Sequence, residues 1–172
     1  MTTAGDSVRN QRSEEIKEQI QKWLMEEGWR IRAENVPDAE WFLSGESEAR
    51  VRIGIGKKRE RPDQIIIQGS VTFNQTHRDQ IARLLLEERS DFLWDMRFSL
   101  LNMGVEFSGV TDIPQEVRIS QRIYYDGLTK DRFLQRVSQV RNGVLNVLWM
   151  VAKRLAQPPP ERTVGFRPQE GD

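Results

Sequence analysis

The chain has 172 residues, 37% hydrophobic and 30% charged, and its 26 basic and 26 acidic side chains balance to zero formal charge. That length suits one domain with a real core, and the balance gives no overall footprint for nucleic acid or an anionic membrane. With no cysteine and a single histidine, His77, disulfides, thiol catalysis, cysteine-ligated metal and histidine clusters are excluded.

Residues 1–12 are polar and aperiodic, read as a disordered leader, and carry no apolar run of a secretory signal. The longest apolar segments are interrupted by charges every few residues, so none is expected to span a bilayer. A cytoplasmic location is therefore expected. One α+β domain is assigned to residues 13–156, and residues 157–172, PPERTVGFRPQEGD with its flanks, form a Pro-rich tail expected to be disordered. VGFRP within that tail could serve as a short linear motif.

The first helix is expected to start at Ser13 as N-cap, with Glu14 and Glu15 in its first turn and Ile16, Ile20, Trp23 and Leu24 on one stripe. Gly28 suits its C-cap. Four strands follow, at Trp29–Ala33, Trp41–Leu43, Ala49–Ile55 and Gln64–Phe73, with the basic KKRERPD hairpin loop before the last. Each has one polar face, which points to an antiparallel sheet covered on one side. A single long helix is read over Thr76–Met103, starting near Asn74 or Thr76, with Thr76 and Asp79 resembling a capping box and Gly104 as its stop. Two further strands, Val105–Phe107 and Val117–Tyr125, precede a final helix that starts after Asp126-Gly127 with Thr129 as N-cap. The expected order is α-β-β-β-β-α-β-β-α, with the helices on one face of the sheet.

Chemistry-bearing residues are sparse. His77 has no second ligand type patterned around it and reads as a solvated or capping side chain. GIGKKRE lacks the spacing of a phosphate loop. Glu87, Glu88, Asp91 and Asp95 recur on the long helix, but Arg83, Arg89 and Arg97 interleave with them, so ion pairs on the helix face explain the pattern better than a metal. Asp95 and Arg97 lie among apolar neighbours and are read as belonging to a structural ion pair at a helix–sheet seam, with Tyr124, Tyr125, Arg118 or Arg122 as the candidate other ends. No catalytic residue, metal or cofactor is assigned.

The most informative feature is a double stripe. Phe92, Met96, Leu100 and Met103 form one apolar row; Trp94, Phe98 and Leu101 form another, displaced by about 100° or more around the helix. A helix lying on a sheet needs only the first row. The second, with Trp149 on the last helix, is read as a protein interface, covered by another helix of the chain or by a second subunit.

FLWDMRFSLL (Phe92–Leu101), RIYYDGLTKDRFLQRV (Arg122–Val137) and VLNVLWMVAKRL (Val144–Leu155) resemble an uncharacterised prokaryotic domain-of-unknown-function family, DUF2299-like, over roughly Glu14–Leu155. The element order is similar to that of type III secretion chaperone-like and YbjN-like proteins. That likeness implies a compact, frequently homodimeric α+β domain that binds protein segments and has no enzyme active site. The expectation is a non-enzymatic protein-binding domain, chaperone-like or adaptor, acting as a homodimer on an unidentified protein client. The alternative is a small-molecule or nucleotide site at the turn formed by Tyr124, Tyr125, Asp126, Lys130 and Asp131, where a helix N-terminus could hold an anion. A third reading is RNA binding through Arg30, Arg32, Arg50, Arg52, Arg118 and Arg122.

Overall fold

A computed structural model describes residues 4–61 and 63–155; the tail from residue 157 onward, VGFRP included, lies outside the described residues. The elements run α1 (Ala4–Glu26), β1 (Arg30–Glu34), β2 (Ala39–Glu46), β3 (Arg52–Lys58), β4 (Gln64–Thr72), α2 (Gln75–Arg83), α3 (Leu86–Asn102), β5 (Glu106–Ser108), β6 (Glu116–Tyr124) and α4 (Lys130–Leu155), with a short 3-10 turn at Tyr125–Gly127. The six strands make one antiparallel sheet in the order β1-β2-β3-β4-β6-β5. Four helices pack on it, so the fold is the expected α+β type with one helix more than expected.

The alternating pattern of each strand sets the two sides. Leu43, Ile53, Ile55, Ile65, Ile67, Val71, Val117, Ile119 and Ile123 face the helices and are buried. Phe133, Val137, Val140, Val144, Val147 and Val151 of α4 recur every three or four residues and cover them. Two glycines let α4 approach the sheet closely. A Cβ on Gly69 would lie 2.6 Å from Val144 Cγ2, and one on Gly143 would lie 3.0 Å from Ile119 Cγ2. Gly28 closes α1 at φ +78, and Trp29 N–H reaches back to Leu24 O at 3.0 Å, the hydrogen bond of a Schellman ending.

Three expectations about the elements are corrected. The first helix begins at Ala4 and takes in residues 4–12, assigned above to a leader; Ser13 is therefore inside it and is not its cap. A polar helical stretch carries no apolar period from which a start could be read. The long central helix is in fact two. Leu84 and Leu85 turn extended, with ψ of 146 and 150, and separate α2 from α3. Of the two starts expected, Asn74 is the cap: it accepts from His77 N–H at 2.8 Å, and Thr76 lies inside α2. Leu85 has no side-chain acceptor, and Glu88 reaches back to accept from its N–H at 3.3 Å. β2 is also longer than Trp41–Leu43, because Ser44, Gly45 and Glu46 pair with β3 without adding apolar side chains.

Candidate functional site

α3 runs antiparallel beside α4: Glu88 meets Arg154 at 3.7 Å, Asn146 Nδ2 donates to Ser99 Oγ at 2.8 Å, and Leu100 packs beside Gly143. Phe92, Leu93, Met96 and Leu100 point inward and are buried. At about 100° per residue, Trp94, Phe98 and Leu101 must point away from the sheet. They are 51%, 55% and 63% exposed, and Trp149, on the outer side of α4, is 67% exposed. The antiparallel register sets Trp149 at the level of Trp94 on the neighbouring helix. Among the described residues, no other helix covers this surface.

The rings on α3 pack on one another. Trp94 and Phe98 stack with centroids 5.6 Å apart, and the Arg97 guanidinium lies over Trp94 at 4.8 Å. Arg97 also donates to Val110 O at 2.7 Å, which anchors it to the β5–β6 connection. Asp95 is placed differently from the expected pair. It is exposed, and residues two apart on a helix project about 200° apart, so it cannot meet Arg97. The apolar neighbours of Asp95 occupy two faces of α3, and Asp95 lies between them. Among the described residues, no three His, Asp or Glu side chains cluster so as to hold a metal ion.

The other side of the sheet is open. Arg30, Arg32, Arg52, Arg118 and Arg122 do share it, whereas Arg50 sits in a turn at φ +58. Acids interleave with them: Arg30 and Arg52 pair with Glu46, Arg118 with Glu116 at 2.8 Å, and Arg122 with Glu106. The Arg52 hydrogen bond holds the Glu46 carboxyl below its usual range, and Arg118 does the same to Glu116. These pairings offset the charge of four of the five arginines on this face and so weaken the positive field that RNA binding needs. Phe42 lies flat over Gly54 and Gly56 on this side; a Cβ on Gly56 would be 2.8 Å from Phe42 Cδ2.

The turn at Tyr124–Asp131 does not converge. Tyr124 is on the open face and Tyr125 on the helix side. Lys130 is engaged by Glu26 at 2.7 Å, and Thr129 Oγ1 accepts from Arg132 N–H at 3.3 Å as an ordinary cap.

A polar cluster that the sequence reading missed lies nearby. Lys57 is fully buried, with its Nζ 2.6 Å from Glu40 Oε2 and 3.2 Å from Ser13 Oγ, and 5.7 Å from the Tyr125 ring. Trp41 Nε1 donates to the same Ser13 oxygen at 3.0 Å. Burial pushes the Glu40 carboxyl up, but hydrogen bonds from Lys57 and Ser13, with the charges of Lys57 and Arg59, outweigh it and hold the carboxyl below its ordinary value. Ser13 and Lys57 have the spacing of a nucleophile and its base. Yet Ser13 is only 1% exposed, and Lys57 Nζ is engaged by Glu40 Oε2 at 2.6 Å. The cluster therefore fastens α1 to the sheet. Its signal was present in the sequence: extending the period of two from Ile53 and Ile55 puts Lys57 on the inner face.

Residues 16–151 match the family described as "Uncharacterized conserved protein (DUF2299)". The chain belongs to the DUF2299 family. Its fold is similar to that in the crystal structure of an uncharacterized protein from Methanothermobacter thermautotrophicus, with 29% sequence identity and a TM-score of 0.73. The likeness covers 81% of this chain and 98% of that one. No curated protein matches the chain. Neither description assigns an activity, so a function for this DUF2299 chain has to be argued from its own surface. Among the described residues, no helix is long and apolar enough to cross a membrane.

Proposed function

We propose that the chain is a non-enzymatic, cytoplasmic protein-binding domain, chaperone-like or adaptor in kind, which docks a protein on the outer surface of α3 and α4. The observation that carries this reading is the exposure of Trp94, Phe98, Leu101 and Trp149, each more than half accessible. Side chains of this size leave on the order of 500 Å² of apolar surface in water, near the upper end of the largest patch on an ordinary monomer. The stacking of Arg97, Trp94 and Phe98 supports the reading too, because rings already packed on one another lose little entropy when a partner covers them.

A photo-crosslinking amino acid placed at Leu101, with a control at Ser70 on the open sheet face, tests this in cells. Protein adducts are expected from position 101 and few from position 70. Equal yields from the two positions, or none from 101, would contradict it.

A further inference from the structure

We infer that the occupant of this surface is a second copy of the chain, seated across a two-fold axis close to Phe98. The inference rests on the protein-binding reading above and names the partner. Trp94, Phe98 and Leu101 follow the four-then-three spacing of a helix–helix seam, and the seam is only two turns long. Antiparallel pairing of α3 with its copy sets Phe98 beside its equivalent and each Trp94 opposite the other copy's Leu101. A large ring thus meets a smaller side chain at both ends, as an isologous contact requires.

Area supports the same occupant. A standard interface buries about 800 Å² per partner, and the four apolar side chains supply on the order of 500 Å² of it. Asp95 and Lys153 line the groove between α3 and α4 and, with exposed Asn102, would supply the polar contacts of the interface. Zero formal net charge leaves no long-range repulsion between copies. Arg97 is folded onto Trp94 and bonded to Val110 O, so it does not project a cation into the seam.

Size-exclusion chromatography with light scattering on the full chain at high micromolar concentration reads the outcome. The expected mass is twice 20.1 kDa. Phe98→Asp should give a monomer with unchanged circular dichroism, and Trp94→Ala should weaken the dimer by about 30-fold or more. Ser70→Asp on the open sheet face should leave it intact. A wild-type monomer, or a dimer that survives Phe98→Asp, would overturn the inference. A monomer whose position 101 crosslinks to a different protein overturns the second copy alone; a monomer without any adduct overturns the protein-binding reading as well.

Discussion

Replacing Glu40 with alanine is expected to destabilise the fold by about 3–5 kcal/mol, the range for removing one partner of a buried ion pair. Lys57 has no exposed side-chain surface, so its charge would be left with only the Ser13 hydroxyl and the Tyr125 ring. The reverse change should be milder. In Lys57→Met a side chain of similar volume fills the space, and the Glu40 carboxylate, 28% exposed, remains partly hydrated. A loss of about 1–2 kcal/mol is expected there. Acid acts on the same contact. The folded pKa of Glu40 lies below its unfolded value of 4.5, so its contribution is complete above that value and is lost as pH falls through the folded one. Urea denaturation at neutral pH and below pH 4.5 should show this loss in the wild type and a flatter acid limb in Glu40→Gln. Equal destabilisation by Glu40→Ala and Lys57→Met would show that the burial asymmetry does not govern the pair.

The second large effect is expected at Gly109, which follows β5. It adopts φ +86, and a Cβ there would sit inside the contact radius of the Glu116 carbonyl oxygen. That oxygen belongs to the backbone at the start of β6, where Glu116 pairs with Thr72, so it cannot yield as a flexible side chain would. Gly109→Ala adds left-handed strain to the clash and should destabilise by about 3 kcal/mol. Val110, the next residue, offers the carbonyl that holds Arg97, so the change should also loosen Arg97 from Trp94. Hydrogen exchange should show lost protection across Glu106–Ser108 first, while the β3–β4 pairing stays protected.

Much of the fold was legible because the strands alternate strictly and α4 repeats its valines and Phe133 at helical spacing. The break at Leu84–Leu85 was hidden, since a run of three leucines looks like helix core. Only the three-dimensional path shows that Leu85 and Leu86 face water. Ser13 fits the sequence pattern of a cap, yet its hydroxyl is used by Trp41 and Lys57 from strands far along the chain. Contacts of that range leave no local period to read. Lys57 was masked by its basic neighbours in KKRERPD, although its register with Ile55 was visible. The second stripe on α3 was visible in the spacing of Trp94, Phe98 and Leu101. What the sequence lacked was the position of the other helices, which leave Trp94, Phe98 and Leu101 uncovered among the described residues.

Hydroxyl-radical footprinting over a concentration series tests the central claim most directly, because it reads the accessibility of individual side chains in the intact chain. Oxidation of Trp94, Phe98 and Trp149 is predicted to fall together as concentration rises, while Tyr124 on the open sheet face stays reactive throughout. Oxidation of the three that stays constant up to high micromolar concentration, or protection that appears at Tyr124 instead, would contradict the account.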